Sequence, residues 1–288
     1  MRPKTFIFIA LFVFVSGGCS FQQMAVRLSL PLVEGQVRSI QEENDLALAK
    51  NAIPASLKMM EGFLQSDPDN PQLLVSLAEG FCSYGFSFVE DSDPVRAVAL
   101  YDRGRNYAFR ALENQSPANS LKGLVQADLS NELAKFSEDQ VPALFWLAQC
   151  WGGWLNLSLD NPRAFADVSK VESVMQRVVE LDETYHYAGG HLLLAVFYGN
   201  RPKLLGGNHE KAKFHFERNM ELTNSKYLLS SYFYARTYAV QTQDRDLFEK
   251  SLQEVIDALP DILPEQRLAN EIAKQKAKYW LERVDDLF

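Results

Sequence analysis

The sequence predicts an all-α protein, and three observations predict it. Apolar residues recur at spacings of three and four along nearly the whole chain, the periodicity of an amphipathic helix. Alternating runs of Val, Ile and Thr between Asn-Gly or Asp-Gly turns do not occur, so the strand signal is missing. Helix starts are written as a capping residue followed by proline, at Asn70-Pro71, Asp93-Pro94, Ser116-Pro117 and Asn161-Pro162. Each cap oxygen can accept from an orphan N–H, and each proline sits where its missing N–H costs nothing. Together these predict helices over residues 42–51, 54–65, 71–88, 94–113, 117–128, 140–158, 162–181, 184–199, 208–222, 225–241, 244–258 and 264–285. Before the ninth of these, Gly206 and Gly207 permit a tight turn, Asn208 can cap the helix, and Glu210 sits at its positive end.

The stretch before the first helix reads as an export signal. Arg2 and Lys4 form a basic start, and the apolar run from Thr5 to Val15 is 11 residues long, too short for a bilayer that needs about 20 helical residues. Ser16-Gly17-Gly18 then stands directly against Cys19, the arrangement of a bacterial lipobox with Ser where Leu is usual three places before the cysteine. The expected organisation is a lipoprotein signal peptide over 1–18, a lipid-anchored segment over 19–41 and a helical domain over 42–288, with Cys19 acylated. Ser20 stands where an inner-membrane retention signal would place Asp, so the expected location is the periplasmic leaflet of the outer membrane.

Removing residues 1–18 takes away two basic residues and no acid, moving the net charge from −8 to −10. That disfavours nucleic acid, whose phosphates are bound by clustered Lys and Arg. With 47 % apolar residues the mature chain can bury a sizeable core. Cys82 and Cys150 lie in apolar helical stretches, where a buried free thiol is the commoner state, although the export route makes a disulfide chemically possible.

The helices pair into degenerate repeats. In "SLKMMEGFLQSDPDNPQLLVSLAEGF", with Pro68 as the turn proline, Leu74, Leu77, Ala78 and Phe81 occupy the large, large, small, large positions of a tetratricopeptide first helix. Ala97, Tyr101 and Gly104 follow on the partner helix, after seven residues more than the standard repeat uses, and Ala212, Phe216, Asn219, Ala235 and Tyr238 mark a later pair. The expected architecture is a tetratricopeptide-like helical-repeat solenoid of about four degenerate helix pairs with capping helices at both ends.

Three stretches, "AVALYDRGRNYAFRAL" (97–112), "RPKLLGGNHEKAKFHFERNMEL" (201–222) and "YARTYAVQTQDRDLFEKSLQEV" (234–255), taken with the export signal, resemble the T component of the tripartite ATP-independent periplasmic (TRAP) transporters, the TatT family. The resemblance implies a trimeric periplasmic lipoprotein with a pore in each protomer, associated with a solute-binding P component. Its implied role is to bind or pass a small ligand, hydrophobic or carboxylated. The rival reading is a tetratricopeptide scaffold lipoprotein that organises envelope protein assembly.

No catalytic or metal-binding pattern competes with these readings. His186 and His191 are turned about 140° apart on a helix, "HEKAKFH" is not H-E-x-x-H, and the sequence holds no G-x-S-x-G elbow, phosphate loop or C-x-x-C pair. The expectation is no enzyme, no metal and no cofactor. The unusual stretches are "PALFWLAQCWGGWLNLSL" (142–159) and "TYHYAGGHLLLAVFYGN" (184–200), where paired glycines, each costing about 1 kcal/mol against Ala, interrupt aromatic helices. Leu147, Trp151 and Trp154 share one helical face, as do Tyr187, His191, Leu194 and Tyr198. A channel lined by Trp151, Trp154, Tyr187, His191 and Tyr198 is the expected ligand site, against close helix packing as the alternative.

Overall fold

The computed structural model describes residues 21–114, 121–158 and 161–288; the signal segment, Cys19 and the Ser116-Pro117 start lie outside the described residues. Every regular element among those residues is a helix: α1 (Phe21–Gln41), α2 (Leu46–Ser66), α3 (Pro71–Tyr84), α4 (Pro94–Glu113), α5 (Gln126–Leu133), α6 (Val141–Asn156), α7 (Pro162–Leu181), α8 (Tyr185–Gly199), α9 (His209–Leu222), α10 (Leu229–Phe233, running on to Thr242), α11 (Arg245–Asp257) and α12 (Arg267–Leu281). Caps set the starts where the sequence places them. Asn70 accepts from the Leu73 N–H at 3.1 Å, Asp93 from Arg96 at 3.0 Å and Asn208 from Lys211 at 3.0 Å, and Gly206 has a φ of +87° in the turn before α9.

Most helices pack on the next along the chain, α5 instead lying against α7 while α4 packs on α6, and α12 returns to pack on α1 and α2. The repeat is therefore closed end to end. Arg267 Nη1 donates to the Glu42 carbonyl across this closure at 3.3 Å, and the Lys276 ammonium pairs with Asp91. The small and large repeat positions read from the sequence form the core: Leu74, Leu77, Ala78, Ala97, Ala212, Phe216 and Ala235 are fully buried.

Several elements differ from the sequence expectation. Residues 42–51 and 54–65 are not two helices; α2 runs unbroken through Pro54, because buried Ala49 and Ile53 before the proline and Leu57 and Met60 after it share one packed face. The segment before residue 42 is itself a helix, α1, whose Val26 and Val33 are buried. The helix expected over 117–128 is displaced: among the described residues a 3-10 turn at Leu121–Gly123 comes first, and α5 begins only at Gln126 and runs to Leu133, held by the burial of Leu129 and Leu133. The seven extra residues after Phe81 become a π-helical turn over Gly85–Val89 and a tight turn before Asp93. A second π segment spans Tyr234–Ala239.

The expectation of free thiols is corrected. Cys82 of α3 and Cys150 of α6 form a disulfide with Cα atoms 5.4 Å apart. Gly104 of α4 is the reason these helices meet: a Cβ there would lie 2.6 Å from the Cys82 sulfur and 2.9 Å from that of Cys150. Only a residue without a side chain lets α4 settle against the bridge. The sequence separation of 68 residues carries no spacing motif that could show this.

Candidate functional site

The helices line a cavity of about 310 Å³, within the size range of small-molecule sites. Its wall draws on both ends of the chain and on the middle: Val37 and Ile40 of α1, Ile53 and Met60 of α2, Glu79 of α3, Trp146 of α6, Leu192 and Val196 of α8, and Leu268 and Ile272 of α12. The first π segment lines it, and the second begins one residue beyond it: Phe86 of the first and Phe233, just before the second, bring their rings to 5.5 Å, and both line the space. A π turn widens the helix and re-aims its side chains, which is why such turns recur at functional sites.

The polar groups of the wall lie at separate poles. Arg201, just beyond α8, is 3 % exposed; its Nη1 donates to the Phe197 carbonyl at 2.7 Å and its Nη2 to Asn156 Oδ1 at 3.2 Å. Among the described residues its Nε–H has no acceptor and no carboxylate lies within ion-pair reach of it. Burial pulls the guanidinium down to about 10, with Glu172 acting weakly against that. At a second pole, burial pushes the Glu79 carboxyl up to about 7 while the Gln41 amide, donating at 2.8 Å, opposes the shift. His186 beside the cavity is held down to about 4 by loss of water and is neutral at pH 7. At a third, burial raises Glu90, which accepts a hydrogen bond from the Tyr101 hydroxyl.

A left-handed turn positions this rim. His186, Tyr187 and Ala188 have φ of 46°, 59° and 52°, a conformation costing roughly 1–2 kcal/mol for each L-residue. Asn219 of α9, fully buried, holds the turn by donating to the carbonyls of Tyr187 at 2.9 Å and Ala188 at 2.8 Å. The Ser230 hydroxyl orients that amide through its oxygen.

The two helices singled out in the sequence, α6 and α8, both line the cavity, but with the glycine face. Trp146, Gln149, Gly153 and Asn156 of α6, and Gly189, Leu192, Val196 and Phe197 of α8, meet the space. None of Trp151, Trp154, Tyr187, His191 and Tyr198 is among its lining residues. Trp151 packs edge-on to Phe109 and donates to Asp167 at 3.2 Å, and Arg105 stacks on Trp154 at 4.4 Å. Tyr187 stacks on the cavity residue Tyr227 at 5.3 Å. His191 lies 2.8 Å from His215, Nδ1 to Nδ1, and 3.1 Å from Glu183 through its Nε2. Burial holds both imidazoles below their usual range, so His191 donates to the carboxylate and accepts from His215. Glu183 is held down to about 2, first by Arg218 and then by His191. Tyr198 donates to Glu172 at 2.6 Å and stacks on His215.

The paired glycines make room for rings. A Cβ at Gly153 would lie 2.6 Å from the Tyr101 ring, and one at Gly189 would lie 2.6 Å from Phe145. Both aromatic residues line the cavity, so the glycines let its wall form. The signal available in the sequence was the polar pair Gln149 and Asn156, which share the glycine face of an otherwise apolar helix. Arg201, Glu79 and Tyr101 gave no comparable signal.

Comparison with known proteins bears on this cavity. The family model described as TRAP transporter T-component matches residues 42–288. The chain belongs to that family. It is also 23 % identical over 315 residues to an uncharacterized protein of Treponema pallidum (strain Nichols), covering 97 % of each chain. As a T-component the protein is an accessory part of a TRAP transporter, which is not an enzyme class. No described helix is long and apolar enough to cross a membrane, and no group of three or more metal-ligating side chains gathers among the described residues.

Proposed function

We propose that this T-component is a periplasmic lipoprotein that holds a small ligand in its internal cavity and exchanges it with a solute-binding P component of the transporter. The cavity carries the reading: a largely apolar space with one buried, incompletely paired cation suits a molecule with an apolar body and a carboxylate end. A carboxylate at Arg201 would use N–H donors that the protein leaves free, with the ligand body along Phe197, Val196 and Trp146. Trp151, Trp154, Tyr187, His191 and Tyr198 would then support the wall from behind. An interior with open space favours this over a scaffold, which needs a filled core and an exposed groove. The same reading has Cys19 acylated, the chain held at the outer membrane, and three copies assembled.

The test is calorimetric titration of the purified protein with decanoate and with decanol. A charge-assisted hydrogen bond contributes about 1.5–3 kcal/mol, so decanoate should bind at least about ten-fold more tightly than decanol. Arg201→Leu should erase that preference and leave decanol binding unchanged. If the folded wild type takes up neither probe, the cavity is not a ligand site of this kind.

A further inference from the structure

Helix α1 carries two apolar faces. Val26 and Val33 are buried and Leu30 and Val37 half-buried against the body of the protein. On the other side Phe21 is 80 % exposed, Met24 51 %, Leu28 74 % and Leu32 76 %. At about 100° per residue these four fall within a sector of about 80°, nearly opposite the buried face. Widening the sector to about 120° adds only Ala25, Pro31, Gly35 and Ser39, with no charge. Arg27, Glu34 and Arg38 are grouped along one margin, and Arg27 is tied to Asp67 at 2.9 Å. A helix needing only one apolar face to pack does not require the second.

The position of the stripe identifies what covers it. Phe21 follows Cys19 by two residues, so an acyl group on Cys19 would keep the Phe21 backbone within about 7 Å of the lipid headgroups. Leu32 lies about 16 Å further along the same axis. An anchored helix that stood upright would leave the whole stripe in water, whereas one lying flat would bury it. The convex face of a single helix also offers no groove for an inserted peptide.

We propose that α1 lies in the membrane interface, with Phe21, Met24, Leu28 and Leu32 in the acyl-chain boundary of a phospholipid surface, so that the lipid anchor fixes the orientation of the protein as well as its location. This rests on acylation of Cys19 and is independent of what the cavity binds. Arg38, exposed at the margin, is placed to reach headgroup phosphates along its apolar stem.

The experiment uses the full acylated chain in phosphatidylethanolamine–phosphatidylglycerol vesicles, with and without brominated acyl chains. Leu28→Trp and, as a second reporter, Leu32→Trp should add blue-shifted emission over the parent and lose at least half of it in brominated vesicles. Leu204→Trp, 94 % exposed in the segment between α8 and α9, should be unaffected. Water-like, unquenched emission from both α1 reporters in vesicle-bound protein overturns the proposal. So does unquenched emission together with self-association that Leu28→Glu/Leu32→Glu abolishes, which makes the stripe an interface between copies. Failure of labelled palmitate to enter at Cys19 removes the tether and the proposal with it, and leaves the cavity titrations untouched.

Discussion

Glu79 lines the cavity from α3, where loss of water pushes its carboxyl from 4.5 up to about 7. The folded chain therefore holds this proton more tightly than the unfolded chain. Its contribution to stability is complete below about pH 4.5 and is lost as pH rises through about 7. His186 acts in the opposite sense: held down from 6.5 to about 4, it contributes fully above pH 6.5 and loses that contribution as pH falls toward 4. Glu79→Gln keeps the shape and removes the titration. Relative to the parent, the variant should gain stability steadily between about pH 5 and 8 in urea unfolding. A difference that stays flat over that range would mean the carboxyl is not desolvated as described. The neighbours that could distort the result are the Tyr185 and Tyr227 hydroxyls, which Glu79 helps to keep protonated.

At the scale of elements, the unusual backbone gathers around the cavity. The π segment at Gly85–Val89 and the left-handed turn at 186–188 line it, and the second π segment, Tyr234–Ala239, starts directly after the lining residue Phe233. The turn depends on α9. Asn219 stands where a tetratricopeptide helix would have a small residue, and its amide caps two carbonyls that no helix can satisfy. Asn219→Ala would leave those carbonyls without their donor in a buried place, a loss of about 2–3 kcal/mol in chemical denaturation. Ala188→Gly should do the reverse, gaining about 1 kcal/mol because glycine adopts positive φ without a Cβ penalty. If Asn219→Ala proves neutral, the turn is held by something other than this amide.

For the whole molecule, the decisive contact is the return of α12 to α1 and α2. Leu268, Ala269 and Ile272 complete the wall together with α6 and α8. The cavity thus exists only when the last helix has docked, although the disulfide and its Gly104 seat lie wholly within α3, α4 and α6. Truncation after Leu263 should open the ring while the bridge stays closed. Amides of residues 33–41 should then exchange with solvent at least about ten-fold faster, since α1 loses one of its two packing partners and exchange follows local opening. Retained protection in α1, read by mass spectrometry, would show that α1 is held by α2 alone.

Composition and periodicity alone determined that this chain is helical, where most helices begin, and which small residues lie at helix crossings. Those are local matters: a cap such as Asn70 acts on its own next turn, and Ala78 or Ala97 marks a close approach whichever helix comes near. The sequence also drew attention to α6 and α8. What it could not decide was which side of them faces the cavity, because Trp151 and Trp146 are equally apolar and both are buried. Only the path of the chain separates a tryptophan packed on Phe109 from one beside open space. The same holds for Cys82 and Cys150, whose pairing needed α4 to pass close at Gly104, and for Arg201, whose charge became unusual only once the fold had taken it out of water and left it, among the described residues, without a carboxylate within ion-pair reach.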